Sequence, residues 1–123
     1  MPTIKTNLNM ISATAFGMVV TGRLFDDLSD EVKAACVAHE QGHIKNHHAL
    51  KRFFWLLAGV WIWDMDWLKA KIHEQEFEAD AYAASKGHAK GMICFLNAFN
   101  MPETELHPSS QARIERLKGY ENV

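Results

Sequence analysis

Two histidines four residues apart enclose a glutamate in His39-Glu40-Gln41-Gly42-His43. On a helix this spacing puts both imidazoles on one face, one turn apart. Two neutral imidazoles so placed can hold one zinc ion at ~2.0–2.1 Å each. Glu40 lies beside them, and its carboxylate can take a proton from a water that zinc has acidified. This is the HExxH logic of a zinc hydrolase. Five residues with two free positions do recur by chance, and the competing reading is two helix histidines that bind no metal. The surroundings favour the metal, because the motif lies inside a well-capped helix and Gly42 leaves room for another element to approach closely.

A catalytic zinc site takes three protein ligands and keeps one open position. The third must come from His47, His48, His73, Glu74, Glu76, Glu78, Asp80, His88 or His107. A third histidine six residues after the second is excluded, since that position is Ala49. His47 and His48 follow His43 too closely if the helix continues; His47 joins the site only if the helix bends. The segment from His73 to Ala84 offers more. Glu76 and Asp80 are four apart and share a face, with His73 one turn earlier on the same side. A helix facing the metal helix can therefore give Glu76 to zinc, with Asp80 one turn on to orient a ligand histidine. Glu74 and Glu78 point away from that stripe and read as a solvated face. A histidine-ligated site using His73 is the rival.

The elements that must position these groups are legible from caps and periodicity. Ser29 with Asp30 and Glu31 opens a helix, and Val32, Ala35, Cys36, His39 and His43 fall on one stripe that runs to about His48. A second long helix is expected from about Trp67 to Lys86, stopped at Gly87. A third follows from about His88 to Phe99, and Pro108 with Ser109-Ser110 opens a last one ending near Gly119. Residues 15–21 have the β-branched content of a short strand or hairpin. The expected class is mainly α with a small β element (α+β), in a single domain over residues 1–123.

With 123 residues, 48% of them apolar and 23% charged, the chain reads as globular. Its formal charge of −2 gives no reason to expect nucleic-acid binding. Cys36 and Cys94 form no disulfide framework and read as two buried thiols. With no proper signal peptide in the first twenty residues, a cytoplasmic location is the default. Residues 53–63 form the most apolar run, too short to span a bilayer, which takes ~20 residues. It reads as a buried core element or a wall of the substrate cleft ahead of a peripheral membrane contact.

His39-Glu40-x-x-His43 followed by Glu76-x-x-x-Asp80 resembles the gluzincin zinc metallopeptidases of the HtpX and CAAX prenyl protease family, in a minimal soluble form. The resemblance runs from about Phe16 to Leu117. It implies a zincin-like core with one zinc per chain held by His39, His43 and Glu76, Glu40 as base, and Asp80 in support. Gly17 to Gly22 resembles the family's edge strand, which implies that Met18, Val19 and Val20 pair with a peptide substrate. His107-Pro108 with Arg113-Ile114 resembles the family's terminal pattern. This implies His107 near the substrate oxyanion and Arg113 tied to the acidic motif. Without that pattern, His107 is a loop histidine before a proline and Arg113 a helix-surface charge. The function implied is hydrolysis of peptide bonds; the alternative is a non-catalytic zinc-binding interaction module that keeps the fold.

Overall fold

Ser29 begins the first helix as its chemistry suggests, its hydroxyl accepting from the Val32 amide. The computed structural model describes residues 3–5, 11–13, 19–21 and 28–121. From Asp30 onward it is a set of helices: α1 (Asp30–Lys45), α2 (His48–Leu57), α3 (Val60–Trp63), α4 (Met65–Ser85), α5 (Ala89–Ala98) and α6 (Ser110–Glu121). Asp64 caps α4 by accepting from the Trp67 amide. Gly87, at φ 87°, supplies the left-handed residue that ends the same helix. α4 starts two residues earlier than the sequence suggests, and α1 stops at Lys45 instead of continuing to His48.

The fold is all-α in class, which corrects the α+β expectation. Both buried clusters among the described residues are drawn from helices alone. Ala35 and Ala38 of α1 meet Ala83 of α4, Ala89, Met92 and Leu96 of α5, and Ile114 and Leu117 of α6. A smaller cluster joins Val60, Leu68 and Ile72, with Trp55 against it. The extended pairing is limited to β1 (Thr3–Lys5), β2 (Ile11–Ala13) and β3 (Val19–Thr21), three residues each, in the order β1-β3-β2. These segments are a small part of a chain that is otherwise helical from Asp30 onward. The β-branched run at 15–21 therefore signals an extended segment and not a fold class. Nor is β3 an edge. It pairs parallel with β1 and antiparallel with β2, so both of its sides are taken and Val19 and Val20 cannot accept a further strand. Met18 lies outside the described residues.

α1 and α4 pack face to face, and α5 and α6 close over their far ends. The approach of α1 to α4 is set by Gly42. A Cβ there would stand 2.9 Å from the Ala79 Cα and 2.9 Å from the Tyr82 Cβ. The small side expected of Gly42 is thus in use, and it brings the histidine helix against the acidic one.

The apolar run at 53–63 does not behave as core. Phe53, Phe54, Leu56, Leu57, Trp61, Ile62 and Trp63 are all exposed, and only Trp55 and Val60 of the run join a cluster. Hydrophobic content fixes that a segment prefers burial, not that this chain provides it. No helix among the described residues is long and apolar enough to cross a membrane. Cys36 is buried but Cys94 is exposed, so the pair of buried thiols is half corrected.

Candidate metal centre

His39 and His43 point from α1 toward α4 and are buried with Glu76. The two Nε2 atoms are 3.1 Å apart. Glu76 places one carboxylate oxygen 3.1 Å from His39 Nε2 and the other 3.3 Å from His43 Nε2. A tetrahedral zinc with ligands at ~2.0–2.1 Å has ligand–ligand edges of about 3.3–3.4 Å. The three side chains thus already stand close to three corners of such a coordination shell. Among the described residues they form a group whose ligand atoms all lie within 4.8 Å of one another. The donor set, two imidazoles and a carboxylate, suits a borderline divalent ion such as zinc.

Each ligand is held from behind. His39 Nδ1 lies 2.7 Å from Asp80 Oδ1, so the carboxylate accepts the Nδ1 proton and Nε2 is the atom that faces the group. Arg113 grips Asp80 with two bonds of 2.8 Å from Nε and Nη2. The fork geometry is what makes an arginine–carboxylate pair directional. Arg113 is therefore no surface charge: only 6% of it is exposed, against 2% for Asp80. Arg52 donates to Gln75 Oε1 at 2.6 Å and to Glu76 Oε1 at 3.3 Å. No local pattern in the sequence marks Arg52 for this contact, which spans 23 and 24 residues.

The electrostatics follow from this crowding. Burial favours neutral forms, but opposite charges at contact distance win for most of these groups. Burial would lower the His39 pKa; the Asp80 and Glu76 carboxylates outweigh it and raise the value to about 10. Burial would likewise raise Glu76 and Asp80. Hydrogen bonds from His39 and His43 hold Glu76 far below the usual carboxylate range, and Arg113 with His39 does the same for Asp80. Burial also lowers Arg113, and its bond to Asp80 reverses the sign. The carboxylates of Glu76 and Asp80 thus hold a positive charge on His39, the place where a metal ion would compete with the proton. His48 is the exception, its pKa lowered by burial. Cys36 of α1 is driven up to about 12 by burial and by the Glu40 charge, which makes it an inert neutral thiol.

The remaining expected residues fall in different places. Glu40 is half-buried on the turn of α1 that carries His39. Its charge helps raise the pKa of both Cys36 and Arg113. His73 is outside the ligand group. Its Nε2 lies 2.6 Å from the Thr104 carbonyl oxygen, tying α4 to the loop before α6, so the histidine-ligated rival is corrected. His107 is half-buried in that loop, its amide bonded to the Thr104 hydroxyl and its Nδ1 3.2 Å from the Pro108 carbonyl. His88 precedes α5 and caps nothing with its side chain.

Two residues set aside in the sequence also reach the site. His48 is almost wholly buried, with Nδ1 2.8 Å from His43 Nδ1 and Nε2 2.9 Å from Glu78 Oε2. The helix does not continue past Lys45 as assumed. His47 adopts a left-handed conformation at φ 55°, and the chain turns there so that His48, not His47, comes back against His43.

With two histidines and a glutamate converging from two helices, the comparison with known families becomes specific. Residues 10–70 match the model of peptidase family M48. The match supports membership of that family, and with it a metallopeptidase in general. It covers the His39–His43 motif and ends before Glu76, so the third member of the group is brought in by the fold alone. No curated protein and no solved structure matches the chain.

Proposed function

We propose that the chain is a zinc-dependent metalloendopeptidase of the gluzincin type. The observation that carries this reading is the convergence of His39 Nε2, His43 Nε2 and the Glu76 carboxylate at tetrahedral-edge distances, on a helix that also carries Glu40. His39, His43 and Glu76 would hold the ion. When bound, zinc supplies Lewis acidity toward a peptide carbonyl and toward water.

The chain's own groups do the rest. Glu40 takes the proton of the attacking water on its carboxylate and returns it to the leaving amine. Asp80 fixes the His39 tautomer, and Arg113 keeps Asp80 ionised and in place. Arg52 steadies the Glu76 carboxylate. His107 is assigned the developing oxyanion, on the resemblance of the Leu106-His107-Pro108 segment and not on its contacts. The substrate class is a peptide or an unfolded protein.

The test is hydrolysis of an unstructured protein such as casein by wild type and Glu40→Gln, each with zinc and with chelator. Cleavage that needs both zinc and Glu40 supports the reading. Zinc uptake by wild type with no cleavage of any peptide tested would instead make the chain a non-catalytic zinc-binding module.

A further inference from the structure

The histidines of the ligand group are held by two separate chains of hydrogen bonds, and the acid–base reading uses only one. We propose that His48 and Glu78 form a positioning relay that fixes the tautomer and ring orientation of His43. The inference rests on the metallopeptidase reading above and deepens it.

The direction of the relay follows from donor and acceptor inventories. As a carboxylate, Glu78 can only accept, so the 2.9 Å contact requires the proton on His48 Nε2. A neutral His48 with its proton there has a bare Nδ1, which must accept across the 2.8 Å contact from His43 Nδ1. With an ion bound, a neutral His43 protonated on Nδ1 would keep Nε2 bare, the atom that stands beside Glu76 and His39. For a neutral His43 the relay selects the Nδ1-protonated tautomer, which is the one a metal ligand needs. The relay mirrors the His39–Asp80 pair: each ligand histidine is answered by a carboxylate of α4, at two and four residues past Glu76.

His48 can do this because of the break at His47. On a continuous helix a residue five beyond His43 sits about 140° around the axis from it, facing elsewhere. The left-handed His47 ends α1 and starts α2 afresh, and the only buried side chain of α2 is His48. A non-glycine residue with positive φ is a strained choice that the surroundings must hold in place. Here the product of that strain is a buried imidazole packed edge-on against His43, with centroids 5.1 Å apart.

The experiment uses the full chain and zinc itself. Zinc affinity is measured by competition with a fluorescent chelator, and the His43 proton position by long-range ¹⁵N–¹H spectra of the zinc-loaded protein. His48→Leu should weaken zinc binding about 10–100-fold. His48→Asn, whose amide oxygen can stand near the Nδ1 position, should recover most of that loss. Glu78→Ala, at a half-exposed side chain and so harmless to folding, should weaken zinc binding and move the His43 signals while the chelated protein melts as wild type. Should His48→Leu not fold, Glu78→Ala decides alone. Wild-type zinc affinity and unchanged His43 signals in Glu78→Ala overturn the relay. Failure of wild type to take up zinc overturns the metal reading, and the relay with it.

Discussion

Gly42→Ala probes whether the close approach of α1 and α4 is what assembles the ligand group. The added methyl would lie 2.9 Å from the Ala79 Cα, 2.9 Å from the Tyr82 Cβ and 3.2 Å from the Ala79 carbonyl oxygen. None of these is the free end of a flexible side chain. Ordinary carbon contacts begin at about 3.5–4.0 Å, so α4 must recede by roughly 0.6–1 Å. Overpacking of this kind costs about 1–3 kcal/mol. Alanine is better than glycine inside a helix by about 1 kcal/mol, which offsets part of it. The net expectation is a loss of up to ~2 kcal/mol, or a melting temperature lower by up to about 8 °C. Function should suffer more than stability. Glu76 lies one turn before Ala79 and moves out with it, while metal–ligand distances tolerate only about ±0.2 Å. Displacement near 1 Å is enough to lower turnover on the order of 100-fold. Melting of the chelated protein and peptide hydrolysis with zinc are read on the same preparation. A Gly42→Ala protein that melts at or above the wild-type temperature with full activity would show that the contact does not set the geometry.

Four further outcomes follow. Glu40→Gln should retain zinc and lose about 10²–10⁴-fold or more in cleavage rate, checked by metal analysis and steady-state kinetics. Asp80→Asn leaves the buried Arg113 without its counter-charge and should cost about 3–5 kcal/mol in denaturant melts, because breaking a buried pair is worse than never having it. In chelator-treated protein, His39 has a folded pKa of about 10 against an ordinary value of 6.5. Its contribution is therefore complete below about pH 6.5 and lost as pH rises toward 10, whereas the depressed Asp80 and Glu76 contribute above about pH 4 and are lost on acidification; melts across that range should show both flanks, and a flat profile from pH 6.5 to 10 would contradict the His39 assignment. His107→Ala should keep its zinc and lose ~2.7–4 kcal/mol of transition-state stabilisation, read as a fall in kcat.

The parts of this site legible in the sequence were those that helix periodicity carries. His39 with His43, and Glu76 with Asp80, are each four apart, and a 3.6-residue repeat places each pair on one face whatever the rest of the chain does. Ser29 and Gly87 were legible because caps satisfy local backbone groups. The bonds from Arg113 to Asp80 came from resemblance and not from spacing, since 33 residues separate them and no local rule joins them. His48 was read away from the site because α1 was taken as unbroken, and Glu78 because it lies off the Glu76–Asp80 stripe; the turn at His47 brings His48 round to meet it. The left-handed residue that breaks α1 is a histidine, and no glycine marks the place. The core alternative for residues 53–63 failed because composition reports a preference for burial and says nothing of what packs above it. The small β element was overrated because β-branched residues favour extended backbone, and the extended segments are a small part of a chain otherwise helical from Asp30 onward.

The central claim is that one metal ion is held by His39, His43 and Glu76. Equilibrium dialysis of chelator-stripped wild type and Glu76→Ala against zinc, with metal counted per chain, tests it most directly. The expected result is one zinc per wild-type chain and strongly reduced occupancy in Glu76→Ala at the same free zinc. A wild type that takes up none, or a Glu76→Ala chain that fills as readily, would contradict it.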